Sequence, residues 1–149
     1  MAIARGAGTE IIRTMHMEDV DDDVSTIIIG EPHHIYTVLS VIVYAQAVQA
    51  AGNYCRMYLY GWDANGATAN QELIIFKQEM QLDQTFVWND KFSFTGHDPT
   101  GVSSSLSTVA EQNALADQGG SNAQKLQIHG EHADDNFDVH ITYIDQNNA

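Results

Sequence analysis

Only one cysteine, Cys55, occurs in the 149-residue chain. No internal disulfide can form, and Cys55 sits among apolar strand residues as a small packed hydrophobe. Positive charge is scarce too. Six Lys and Arg stand against twenty Asp and Glu, for a net charge of -14. Arg5, Arg13, Arg56, Lys77, Lys91 and Lys125 are scattered, whereas a phosphate-binding surface clusters its bases. Nucleic acid is therefore not an expected partner; an acidic protein facing solvent fits better. No long apolar run is present. The longest, Ile35 to Ala51, is broken by Thr37, Ser40, Gln46 and Gln49, so no membrane-spanning helix is expected. The opening MAIARGAGTEIIRTM lacks the apolar segment of a signal peptide.

Catalytic signatures are missing as well. Ser103, Ser104 and Ser105 have no glycine elbow around them. Cys55 has Met57 and Leu59 for company, a setting that does not activate a thiol. No dinucleotide or phosphate-binding glycine loop occurs. The expectation is a protein that is not an enzyme and has no cofactor.

What is present is strand pattern. At this length one domain is expected, burying roughly 70% of its unfolded surface. Residues 1–8 read as a flexible arm, and residues 9–149 as a single domain. Thr9 to Glu18 is a strand or an extended pairing arm, followed by an acidic turn, MEDVDDD. Val24 to Ile29 is a short strand, and Glu31-Pro32 turns the chain. Ile35 to Val48 is a long strand, apolar on both faces: Thr37, Leu39, Val41 and Val43 on one, Tyr36, Val38, Ile42 and Tyr44 on the other. Its second face needs a covering partner. Asn53 to Tyr60 alternates, with Cys55, Met57 and Leu59 on the core side and Tyr54, Arg56, Tyr58 and Tyr60 opposite. Three tyrosines around one arginine is an interface composition.

Asn65-Gly66 marks a hairpin. Glu72 to Gln78 and Gln84 to Trp88 are strands, and Asn89-Asp90 turns the chain so that Lys91 to Phe94 returns. Phe86, Trp88, Phe92 and Phe94 supply core. Residues 97–122, rich in small polar residues, form a long insertion reaching outward or to a neighbour, with a short helix over Val109 to Ala116. Lys125 to His132 and Phe137 to Ile144 read as a final hairpin with Leu126, Ile128, Phe137, Val139, Ile141 and Tyr143 inward. The sum is an all-β antiparallel sandwich, jelly-roll-like, of about eight strands.

That hairpin register places His129 opposite His140, with Glu131 and Asp138 beside them. The four are the candidate metal ligands, although the preferred reading is a polar sheet face without metal. Asp19, Asp21, Asp22 and Asp23 lack the spacing of a calcium loop and read as a solvated turn. His33 and His34 point to opposite faces and read as turn packing.

The run Ile35-Tyr36-Thr37-Val38, continuing through Leu39 to Tyr44, and the closing Phe137-Asp138-Val139-His140-Ile141-Thr142-Tyr143-Ile144-Asp145 resemble a family of small virion β-sandwich proteins of tailed bacteriophages. The likeness spans residues 34–96 and 124–145. It departs after Val38, where the family turns and this strand continues. The resemblance implies a virion structural protein, above all a capsid decoration (cement) protein. Such a protein would be made in the host cytoplasm and sit on the capsid exterior as a trimer against the major capsid protein or another virion protein. Tail, adaptor and fibre roles belong to the same family. Ile3, Arg5, Ile11, Tyr36, Tyr44, Tyr54, Arg56, Tyr58, Tyr60, Val102 and Leu106 are the expected contact residues. Two other classes stay open: a carbohydrate- or receptor-binding sandwich using Tyr60, Trp62 and Trp88, and a metal-dependent jelly-roll enzyme using His129 and His140.

Overall fold

The computed structural model describes residues 8–64, 68–97, 107–110, 112–113 and 122–148. Among the described residues nine strands follow one another: β1 (Thr9–Val20), β2 (Ser25–Ile29), β3 (His34–Ala47), β4 (Tyr54–Ala64), β5 (Thr68–Glu79), β6 (Thr85–Trp88), β7 (Phe92–Thr95), β8 (Lys125–Gly130) and β9 (Asn136–Asn147). They form two antiparallel sheets. The first runs β1-β9-β3-β6, with β7 also on β3, and the second runs β2-β8-β4-β5. Only β4 and β5 are successive strands paired in one hairpin. Elsewhere the chain mostly swaps sheets from strand to strand, which is the jelly-roll arrangement.

The core lies between the sheets, where alternate side chains from each meet. Val38, Val41, Val43, Phe137 and Ile141 come from the first sheet, and Met57, Leu126 and Ile128 from the second; all are fully buried. Phe94 joins the core, while Phe86, Trp88 and Phe92 pack partly buried against it. Phe76 of β5 closes the group, with its ring 5.1 Å from Phe86 and 5.8 Å from Trp88.

Two features of β3 and its neighbours differ from the sequence reading. The long strand does not keep the two faces that simple alternation assigns. Residues facing in are Tyr36 and Val38, then Val41, Val43 and Ala45. The register slips between Val38 and Ser40, so a bulge there reverses the alternation. One core is thereby served by an even set and then an odd set, while Ile42 stays on the outer face, 38% exposed and opposite the exposed Val87 of β6. The second difference sits directly alongside. β6 pairs with Val41–Tyr44 and β7 with Ile35–Val38, both antiparallel to β3. Asn89 to Lys91 therefore does not turn the chain back. It is an excursion in one interrupted strand, opposite the β3 bulge.

One end of the sandwich is clamped backbone to backbone. Gly96 N–H donates to His34 O, Gln124 N–H to Gly96 O, and Gly30 N–H to Gln124 O, each at 2.8 Å. The chains approach so closely that a Cβ on Gly96 would lie 2.1 Å from Glu31 O, and one on Gly30 2.0 Å from Gly96 O. This clamp closes the base of the 97–122 insertion, where His97 bridges to Ala123. Of that insertion, Val109, Ala110, Gln112 and Asn113 are helical, and Gln112 N–H donates to Thr108 O at 3.1 Å. The Asn65-Gly66 turn lies outside the described residues, between the paired ends Ala64 and Thr68. Among the described residues no helix is long and apolar enough to cross a membrane.

Cys55 is fully buried, and burial pushes its thiol up to about 12. A thiol held protonated and shielded is a poor nucleophile. The folded chain is expected to stay unreactive toward a colorimetric thiol reagent at pH 8 and to release one equivalent in urea. Prompt labelling without denaturant would show that β4 opens in the native state.

Candidate functional site

The outer face of the second sheet gathers the tyrosines and the arginine singled out in the sequence. Strict alternation along β4 turns Cys55, Met57 and Leu59 inward and leaves Tyr54, Arg56, Tyr58 and Tyr60 outward. Register then adds neighbours. Arg56 lies between His129 of β8 and Lys77 of β5, Tyr58 between Gln127 and Ile74, and Tyr60 between Lys125 and Glu72. Three of the six basic residues in an acidic chain thus share one face, a grouping the linear sequence conceals.

These side chains interlock. The Arg56 guanidinium carbon stands 4.8 Å from the Tyr58 ring centre, and Lys77 Nζ 4.1 Å from that of Tyr54; both are cation–π contacts. Arg56 Nε donates to His129 Nε2 at 3.2 Å, and Nη2 to Glu72 Oε2 at 3.2 Å. With Nε2 accepting, the His129 proton is on Nδ1, 2.6 Å from Gly130 O. His129 meets Tyr58 edge-on at 5.7 Å. Tyr58 is 2% exposed, and this burial, followed by the Glu72 charge, raises its hydroxyl above the ordinary tyrosine range. Ile29 and Ile74 flank the group with 64% and 48% of their surface exposed. The arrangement is a pre-organised aromatic and cationic centre with an apolar margin, the composition of a protein-docking patch.

Other expected contact residues fall elsewhere. Tyr36 is a core residue, 3% exposed. It stacks on Phe94 at 5.3 Å, accepts from Glu31 N–H at 3.1 Å, and burial pushes its hydroxyl up to about 12. It faces no partner, because β3 turns it inward. Tyr44 is on the outer face of the other sheet and donates to Asp83 Oδ1 at 2.7 Å. Ile11 is half-buried on β1. Ile3, Arg5, Val102 and Leu106 lie outside the described residues. Trp88 packs inward against Phe76, which removes one of the three rings proposed for stacking on sugar.

The histidine patch is also corrected. β8 and β9 do not pair; they belong to different sheets, and residues 131–135 arch across the sandwich between them. His129 and Glu131 are therefore separated from Asp138 and His140 by the core. The enzyme reading that joined His129 to His140 loses its geometry. Among the described residues no group of three or more His, Cys, Asp and Glu is placed to hold a metal.

Two carboxylates that alternation alone did not single out prove to be structural centres. Asp145 is 6% exposed. Its Oδ1 lies 2.7 Å from His34 Nδ1 and its Oδ2 3.3 Å from Arg13 Nε, while His34 Nε2 reaches Glu31 Oε2 at 3.3 Å. The signal was available: Asp145 continues the inward series Phe137, Val139, Ile141 and Tyr143, and a carboxylate in that phase needs a partner. Changing His34 to Ala is expected to cost about 2 kcal/mol in urea unfolding, less than a fully buried pair because Arg13 still faces Asp145. Asp135, 3% exposed, accepts from Gln49 N–H, Asn53 Nδ2 and His132 N–H at 2.8, 3.0 and 3.0 Å. It ties the β8–β9 arch to the turn before β4.

No family model matches the chain, and no curated protein matches it. Among solved structures it is similar to a chain from Bacillus endospore appendages, described as a novel family of disulfide-linked pili. The likeness covers 100% of this chain and 97% of that one, with 9% identity and a TM-score of 0.46.

Proposed function

We propose that this chain is a structural subunit of a virion, a decoration protein seated on the capsid exterior as a trimer. The resemblance of Ile35–Tyr44 and Phe137–Asp145 to phage virion sandwiches suggests the setting. The observation that carries the docking role is the assembly of Tyr54, Arg56 and Tyr60 with Lys77, Lys125 and His129 on one sheet face, bordered by exposed Ile29 and Ile74, with Tyr58 buried beneath Arg56 and His129 as a support and not as a contact residue. In a chain of net charge -14, like-charge repulsion opposes contact between copies over most of the surface. A face that collects bases and aromatic rings relieves it locally. The rings are already fixed against cations, so little side-chain freedom is lost on contact.

Light scattering after size exclusion tests the reading. The wild-type chain is expected to run as a trimer, and the exposed-site variants Ile74→Glu and Lys77→Glu as monomers that keep the wild-type far-ultraviolet circular dichroism and unfold cooperatively at a lower midpoint, since association no longer stabilises them. A wild-type monomer at micromolar concentration, or a trimer indifferent to both changes, would remove the self-docking role from this face.

A further inference from the structure

The outer face of the first sheet holds a histidine pair that the docking role does not use. β1 and β9 run antiparallel with His16 directly opposite His140. Their ring centres are 6.0 Å apart and the planes tilted by 47°. Glu18 Oε1 lies 3.6 Å from His16 Nε2. Asp138, on the His140 side of the same face, keeps its Oδ1 buried with no hydrogen-bond partner. No lysine or arginine stands on this face of either strand: β1 presents Glu10, Ile12, Thr14, His16 and Glu18, and Arg13 faces the other way, to Asp145. Two imidazoles, two flanking carboxylates and no fixed cation create a local environment that favours a positive guest.

We propose that His16 and His140 bind one divalent transition ion, zinc being the probe of choice, across β1 and β9. Directly opposed residues of an antiparallel pair have Cβ atoms about 4.5–5.5 Å apart. Two imidazoles on one zinc, at Zn–N of about 2.0–2.1 Å, place their donor nitrogens at a separation that such neighbours span by rotating about χ1 and χ2. Imidazole nitrogen is a preferred donor for zinc, copper and nickel. The protein supplies two ligands, and water fills the remaining positions. Glu18 and Asp138 contribute charge and hydrogen-bond acceptors for the imidazole N–H or a bound water, the outer support such sites use. Among the described strands β1 is at the edge of its sheet, paired with β9. An ion held by both strands staples that edge to the sandwich.

Zinc titration of the full chain by calorimetry tests this directly. One ion per chain is expected, with binding lost in His16→Gln and in His140→Gln but kept in His33→Gln. Zinc at 100 times its Kd should raise the wild-type unfolding midpoint by roughly 5–10 °C. It should also slow amide exchange in β1 and β9 above all. Absence of saturable binding, or binding that survives the double change at His16 and His140, would overturn the assignment. Should the double variant fold poorly, wild-type exchange decides: protection confined to β1 and β9 sustains the site, and its absence or a uniform rise overturns it.

Discussion

Replacing Gly96 by alanine is expected to destabilise the chain by about 3 kcal/mol or more, the upper end of the range for overpacking, and to lower the unfolding midpoint by roughly 6–12 °C. The methyl group would sit 2.1 Å from Glu31 O and 2.7 Å from Glu31 N. Both are backbone atoms, and neither can swing aside as a side chain does. Relief requires the β2–β3 turn to part from the β7 end, which breaks the bonds joining Gly30, Gln124, Gly96 and His34. Gly52 is the control. Its φ is +89° and its nearest neighbour is a side-chain oxygen of Glu79 at 3.9 Å, so Gly52→Ala carries left-handed strain alone, about 1–2 kcal/mol. Thermal scans of the two variants separate the causes. Equal losses would show that close approach at Gly96 is not what makes it indispensable.

The second large effect belongs to Phe137. It is the largest fully buried side chain, 0% exposed. A Cβ placed on Gly130 would lie 2.7 Å from Phe137 Cε2, so the ring occupies the space that the glycine vacates. Phe137→Ala should cost about 3–5 kcal/mol in urea unfolding, through lost transfer energy and the cavity left behind. The neighbours are strands held by ladders in both sheets, which limits collapse into the hole. A loss near 1 kcal/mol would mean that the arch between β8 and β9 closes over the gap.

Much of this fold is legible in the chain itself. The alternation of Cys55, Met57 and Leu59 against Tyr54, Arg56, Tyr58 and Tyr60 marks both faces of β4. Leu126 and Ile128, with Phe137, Val139 and Ile141, mark the inward faces of β8 and β9. What the alternation cannot convey is which strands are neighbours. A hairpin and an arch across a sandwich bury the same alternate side chains. The five residues between Gly130 and Asn136 suit either, so alternation alone sets His140 opposite His129, whereas the fold sets it opposite His16. The β3 bulge was hidden for a related reason. Its position is defined by Tyr143 and Thr142 on one flank and by Trp88 and Phe92 on the other, all remote in sequence. The docking face was half legible: its tyrosines and Arg56 lie on one strand, but Lys77, Lys125 and His129 arrive from two others. Asp145 and Asp135 stayed hidden because a lone carboxylate gives no sign of its partners until the strands are assembled.

The strand order has a consequence for synthesis. β9 lies inside the first sheet, between β1 and β3, and β8 inside the second, between β2 and β4. While residues 125–147 are still unmade, β1 and β2 have no neighbour to hydrogen-bond, and β3 and β4 each have one flank bare. The emerging chain therefore carries unpaired strand edges and an uncovered apolar layer until β8 and β9 leave the ribosome. Non-local closure of this kind is slow. Productive folding is in this sense a single event that waits for β8 and β9, and for that interval the nascent chain depends on its high negative charge, or on a chaperone, to keep copies apart.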